Sequence, residues 1–322
     1  MNVVSEDEFT PLRHVFILNP AAGKEKKALS LRAAIMDWFD QHGGEYVIYE
    51  TDSPGDATEL VRREQAARSG TLRFYAVGGD GTLAEVLDGV TDHSRVQLAS
   101  IPCGSANDLV RMMPESERYL SLPDMIEGEV RRVDALRLAD GHLALNICSI
   151  GLDADVAYGM ADFKHWPLVT GSMAYVLSLI RTFFRPMGHE MTVEMETGEG
   201  TVTVSGRFLF ALAANGRFYG GGWKGAPDAR IDDGILDFWL IDKVSRLKML
   251  TILKKYRKGE HGDLPMCHHF RGTRMKVKTK NEAVVNRDGE CVKASAIEFS
   301  VVPGLIAMVI PKGARLPGEG EE

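Results

Sequence analysis

From Val15 to Asp108 the chain repeats one unit: a short apolar run, a turn of small residues, then a segment with helical periodicity. The first run is Val15 to Asn19. A helical segment from Glu25 to Gln41 follows, with Ala28, Leu31, Ile35, Trp38 and Phe39 on one face. The pattern recurs as a strand at Tyr46 to Tyr49 and a helix at Gly55 to Ala67, then a strand at Leu72 to Val77 and a helix opening at Thr82. A last repeat sets a strand at Val96 to Ile101 before a helix at Ala106. Strands that alternate with helices pair in parallel, because each helix carries the chain back across the sheet. The expected fold class is therefore α/β, with a doubly wound N-terminal domain.

After about Arg131 the pattern changes to β-like runs separated by turns: Val133 to Leu138, Leu143 to Ile150, Met191 to Met195, Val202 to Ala213, Leu236 to Ile241, Met275 to Thr279 and Ile297 to Val302. This predicts a second, mostly antiparallel β domain. The expected division is an α/β domain over residues 1–132, which the segment 303–322 could complete, and a β-rich domain over 133–302. Two helices interrupt the latter, at Gly171 to Phe184 and Arg246 to Arg257. The first is apolar but too short to span a bilayer, so it either packs or lines a lipid cleft. The GEGEE tail is expected to be disordered.

The chain has 322 residues, and its net charge of -7 argues against general binding to nucleic acid, which needs a cationic surface. Between Lys243 and Lys280, however, twelve Lys or Arg stand against two acids, so this segment is +10 and the remainder is -17. It reads either as solvated helix and strand edges or as a local contact with an anionic membrane. Four scattered cysteines lack the paired spacings of zinc or redox sites, and free thiols are expected. The N-terminal acids do not suit a signal peptide and no run reaches spanning length, so the expected location is cytoplasmic.

Three turns carry the chemistry, each where a predicted strand ends, which is where open α/β sheets bind ligands. Asn19-Pro20-Ala21-Ala22-Gly23-Lys24 is built of small residues that let backbone N–H groups approach phosphate, although a structural turn has the same look. Gly78-Gly79-Asp80-Gly81-Thr82 is more specific. Its glycines bare the backbone and Thr82 is placed to cap the next helix, while a carboxylate beside phosphate oxygens calls for an intervening cation such as Mg²⁺. Pro102 to Asp108 places Ser105 to cap a helix or touch a phosphate, with Asn107 and Asp108 on the same rim.

Together these motifs resemble the diacylglycerol kinase catalytic-domain family, which includes sphingosine kinases, ceramide kinases and bacterial lipid kinases. Further stretches match in family order: Arg132-Val133-Asp134, Asn146 to Asp153, Asn215-Gly216, Gly220-Gly221-Gly222 with Pro227, Arg230 to Asp237, and Asn286-Arg287-Asp288-Gly289-Glu290. The resemblance implies ATP as co-substrate and Mg²⁺ as cofactor. Nucleotide contacts would fall on Asn19, Pro20, Ala21, Ala22, Gly23, Thr51, Gly79, Asp80, Gly81, Thr82, Leu83, Ala84, Glu85 and Ser105. Asp80, Asp108 and Asp134 would hold Mg²⁺ and its waters, and Glu290 would be the general base. A separate structural Mg²⁺ would take the carbonyls of Arg230 and Ile235 and the carboxylate of Asp233. Ala84 and Asp88 stand where the family often has Asn, and Ser105 where it often has Thr.

The expected activity is phosphorylation of a lipid hydroxyl, diacylglycerol to phosphatidic acid, by a peripherally membrane-associated protein that could be a homodimer. Two alternatives stay open. One is a soluble kinase of the NAD kinase or phosphofructokinase type, which shares Gly-Gly-Asp-Gly; NAD kinases follow it with an Asn-Glu pair, and here Asn146 is followed by Ile147. The other is a catalytically weak lipid- or nucleotide-binding regulator.

Overall fold

The computed structural model describes residues 12–22, 25–104, 106–163, 166 and 171–320. The chain divides into two compact units, one of Met1–Ser105, Glu115–Arg131 and Ile306–Ala314, the other of Ala106–Pro114, Arg132–Leu305 and Arg315–Glu322.

Unit 1 follows the alternation in the sequence: β1 (Arg13–Leu18), α1 (Glu25–His42), β2 (Glu45–Glu50), α2 (Asp56–Ala67), β3 (Leu72–Gly78), α3 (Asp80–Gly89) and β4 (Val96–Pro102). The strands pair in parallel in the order β2-β1-β3-β4. The five buried residues of β1 and the wholly buried β3 form its centre, where helices covering both faces make alternation unnecessary. Because β2 adds on one side of β1 and β3 on the other, the order of strand addition reverses between β1 and β3. Ligands bind such sheets at that crevice.

Next come α4 (Asp108–Arg111), α5 (Leu122–Ile126), β5 (Glu129–Leu138), β6 (Leu143–Ala144), β7 (Ile147–Gly151), α6 (Leu152–Gly159), α7 (Gly171–Phe184), β8 (His189–Thr197), β9 (Gly200–Ala214), β10 (Leu236–Asp242), α8 (Arg246–Lys258), β11 (Cys267–Arg287) and β12 (Glu290–Ile310). Within unit 2 the strands β7 to β12 pair antiparallel. Their core holds Val193, Phe238, Met275, Val277, Val285 and Phe299, all fully buried. A second cluster packs Met249, Ile252 and Tyr256 of α8 against Trp239 and Phe210.

Several boundaries differ from the sequence expectation for identifiable reasons. The strand expected at Met275 to Thr279 extends to twenty-one residues as β11, because Lys and Arg alternate outward and a bulge absorbs the polar stretch between Lys278 and Ala283. Pro303-Gly304 does not end β12; Gly304 takes a φ of 57° there and the strand carries on into unit 1, where Ala307 and Met308 pair in parallel with β4. Leu143 to Ile150 is two strands rather than one. Helix α6 was missed, since it packs closely with few apolar repeats. The tail is anchored as far as Gly320: Leu316 is buried, and the Glu319 carboxylate accepts its N–H at 3.0 Å.

Candidate active site

In unit 1 the predicted phosphate-side residues meet at the strand ends flanking the crevice. The Asn19 amide donates to the Thr82 hydroxyl at 2.9 Å, and its side-chain oxygen accepts the Ala21 N–H at 3.0 Å. The Asn19 carbonyl accepts the Ala22 N–H at 3.0 Å, and Pro20 and Ala21 are left exposed. Thr51, at the end of β2, donates its N–H to the Leu18 carbonyl at 2.9 Å. The Gly78 carbonyl accepts from Cys103 at 2.8 Å and Gly104 at 3.1 Å, so the third turn closes on the second.

Glycine is required at one of these positions by space: a Cβ on Gly78 would stand 2.2 Å from the Thr82 hydroxyl. On Gly79 it would meet the Gly104 Cα at 3.5 Å, and on Gly81 it would meet nothing, which leaves bare backbone facing outward. Helix α3 opens at Asp80 with Gly79 as its cap residue and no side chain capping it. The N–H groups of Thr82 and Leu83 turn back to the Gly79 carbonyl at 3.1 and 3.2 Å, and the positive end of the helix dipole at this turn favours an anion. Thr82 does not cap α3 as expected, because the helix begins two residues earlier and the hydroxyl receives Asn19 instead. Leu83 is buried, while Ala84 and Glu85 are half-buried. Gly23 and Ser105 lie outside the described residues.

The other predicted carboxylates belong to unit 2. Asp134 is buried, and its two oxygens accept the N–H groups of Gly234 at 2.7 Å and Gly304 at 2.8 Å. It ties the 230–235 turn to the end of the unit 2 part of β12. Asp108 opens α4 and accepts the Gly221 N–H at 2.7 Å, with Arg111 Nε 3.4 Å from its other oxygen. Burial raises the Asp108 carboxyl above its ordinary range, against the pull of those hydrogen bonds and of Arg111. Asp233 accepts the Ile235 N–H at 3.1 Å and pairs with Arg271.

Glu290 starts β12 directly after the hairpin turn Asp288-Gly289. Both turn residues have positive φ, 52° and 110°, as a two-residue type I′ turn demands. Asp288 is an anchor that the sequence did not reveal. Its carboxylate accepts the N–H groups of Leu145 and Asn146, each at 3.0 Å, and burial raises its pKa. Nothing local to the Asp-Gly pair shows that it docks on residues 143 and 142 positions upstream. Glu290 itself is 56% exposed at the side chain and lies 3.2 Å from Arg287, which also holds Asp140 at 2.9 Å. A solvent-accessible carboxylate thus sits on a turn fixed from beneath.

Among the described residues no three His, Cys, Asp or Glu side chains gather into a metal cluster. The 230–235 turn nevertheless suits Mg²⁺, which prefers oxygen donors. Burial raises the Asp233 carboxyl above its ordinary range, with a smaller push from the buried Asp237, and one Asp237 oxygen has no hydrogen-bond partner. That leaves negative charge only partly met by Arg271 and His269. Asp134 fits a direct ligand less well, since binding would displace one of its two amides.

The chain matches two family models: the diacylglycerol kinase catalytic domain over residues 13–138, and the YegS C-terminal NAD kinase beta sandwich-like domain over residues 146–310. A diacylglycerol kinase of Bacillus subtilis is 29% identical over 303 residues, covering 92% of this chain and 95% of that one. An Alcanivorax borkumensis protein named "Probable lipid kinase YegS-like" is 26% identical, covering 92% and 97%. The fold matches the crystal structure of a diacylglycerol kinase from Bacillus anthracis with a TM-score of 0.64 at 20% identity, over 92% of this chain and 96% of that one. The two matched models define the class, a lipid kinase. The chain belongs to the diacylglycerol kinase catalytic-domain family of lipid kinases, in which ATP is the co-substrate.

Proposed function

We propose that the protein transfers the γ-phosphoryl group of ATP to the free hydroxyl of diacylglycerol, giving phosphatidic acid and ADP in a magnesium-dependent reaction. The observation that carries this reading is the bare backbone at the ends of β1, β3 and β4, where Asn19, Gly78 and Thr82 interlock beneath an uncapped helix. Phosphoryl transfer depends mainly on positioning and on charge stabilisation, and such a turn supplies fixed N–H dipoles to phosphate oxygens.

Mg²⁺, when bound, would neutralise phosphate charge, and Asp80 is its candidate holder in unit 1. A second ion at Arg230, Asp233 and Ile235 would brace unit 2. A lipid hydroxyl is a weak nucleophile at neutral pH, and Glu290 is assigned to accept its proton. Exposure supports this role, because a carboxylate free to meet the acceptor needs a rigid base more than burial, and Asp288 supplies the rigidity.

Incubation of the protein with labelled ATP and diacylglycerol, sphingosine, ceramide, phosphatidylglycerol, undecaprenol or NAD tests the reading. Diacylglycerol should be the best acceptor. Faster labelling of another lipid would overturn the substrate assignment, and labelling of NAD alone would favour the soluble-kinase alternative that the NAD kinase-like C-terminal domain keeps open.

A further inference from the structure

Helix α7 is built inside out. Its inward face carries Ala174, Ser178 and Thr182, four residues apart and buried. The Ser178 hydroxyl donates to the Val156 carbonyl at 2.6 Å, and a Cβ on Gly159 would stand 2.5 Å from the Ser178 oxygen. Small residues thus let α6 and α7 approach closely. The outward face carries the large apolar ones: Val176 and Ile180 are each 51% exposed and Phe184 75%. A surface helix ordinarily points such residues at the core.

Helix α8 repeats the feature at its start. Met249, Ile252 and Tyr256 are buried, but Leu247 is 79% exposed and Leu250 51%. The helices are joined there, since the Arg246 guanidinium donates to the carbonyls of Phe183 at 2.9 Å and Arg185 at 3.2 Å. An open groove of about 630 Å³ between the segment that follows α7 and the start of α8 is lined by Pro186, Met187, Lys243, Val244 and Leu247. The stripe that begins with Leu247 and Leu250 continues one turn on with the exposed Lys254 and Lys258.

Charge selects the occupant. From Lys243 to Lys258 there are seven Lys or Arg and no acid, in a chain of net charge -7. Exposed apolar side chains beside a cationic cluster match an anionic bilayer, whose head groups attract the cations while its acyl boundary accepts the apolar groups. We propose that the α7–α8 face of unit 2 docks on an anionic membrane surface, with Ile180, Phe184, Leu247 and Leu250 inserting and Lys248, Lys254 and Lys258 contacting lipid phosphates. This places the partner of the lipid-kinase reading above and rests on it for the presence of a bilayer.

The test is co-sedimentation with vesicles of phosphatidylcholine alone or mixed with phosphatidylglycerol, using wild type, Phe184→Glu, Leu247→Glu and Lys254→Glu. Wild type should partition onto the mixed vesicles, and less so as salt rises. Each Glu variant should bind them about fivefold or more weakly, with an unchanged melting temperature because all three side chains are exposed. Wild-type indifference to phosphatidylglycerol, or full binding by Phe184→Glu, overturns the proposal. So does a dimer without vesicle affinity that Phe184→Glu converts to a monomer in sedimentation velocity, since a second copy would then cover the face. Vesicle binding with no lipid phosphorylated would sink the kinase reading and leave the docking face standing; the reverse pattern would sink the docking face alone.

Discussion

The strand ends of unit 1 and the hairpin of unit 2 solve different problems with different materials. At the ends of β1, β3 and β4 the working surface is backbone, and side chains such as Thr82 and Asn19 brace it from the side. At the β11–β12 hairpin the working group is a side chain, Glu290, while a buried carboxylate, Asp288, holds the backbone beneath it. Asp134 does the same for the 230–235 turn. Backbone sites are specified by what is absent, a Cβ; carboxylate anchors are specified by distant N–H groups that only the fold brings near.

The largest effect should come from filling the backbone site. Gly78→Val places atoms where the Thr82 hydroxyl sits, and the turn must shift to accommodate them. ATP binding measured by calorimetry should fall beyond detection, and overpacking should cost about 1–3 kcal/mol of stability. Wild-type ATP affinity in this variant would show that the nucleotide is held elsewhere.

An anchor variant should behave in the opposite way. Asp134→Ala leaves the half-buried N–H groups of Gly234 and Gly304 without their acceptor, at roughly 0.5–1.5 kcal/mol for each hydrogen bond lost. The melting temperature should drop by several degrees while ATP affinity stays near wild type. If affinity and stability fall together, Asp134 serves the nucleotide as well as the fold.

A smaller effect separates anchors from other buried acids by pH. Asp153 is half-buried with one carboxylate oxygen fully covered, it accepts the Tyr219 hydroxyl at 3.0 Å, and burial raises its pKa. A carboxyl whose folded pKa lies above its unfolded one is tolerated when protonated and penalised when charged. Wild-type stability should therefore decline as pH rises from the ordinary carboxylate range through the raised value. Asp153→Asn removes the charge, so its melting temperature relative to wild type should climb over that window and then level off. A difference that stays constant between pH 4 and 8 would mean that the acid does not titrate as its burial demands.

The same contrast explains what the sequence could reveal. The strand–helix alternation is a local pattern, and the α/β architecture with its antiparallel partner was legible from it. Gly-Gly-Asp-Gly was legible because the need for missing side chains is written in the residues themselves. The lengths of β11 and β12 were not, because Asn281, Glu282, Pro303 and Gly304 look like strand breakers, and only the fold shows a bulge taking up the first two and Asp134 holding the Gly304 N–H. Nor were the anchors: the resemblance makes Asp134 a metal holder and Asp288 merely part of the loop that carries Glu290, and only the fold shows them bonded to Gly304 and to Leu145 and Asn146. The exposed face of α7 was hidden too, since Val176, Ile180 and Phe184 have the composition of a core helix.

Glu290 is assigned to take the proton of the acceptor hydroxyl and to do little else. Its exposure means that Glu290→Gln disturbs no core contact, so the melting temperature and ATP affinity should match wild type. The measurement is kcat with diacylglycerol and saturating ATP. It should fall about 10²- to 10⁴-fold, with KM for ATP little changed. Turnover within a few-fold of wild type would contradict the assignment and return the search for the base to Asp108 and Asp80.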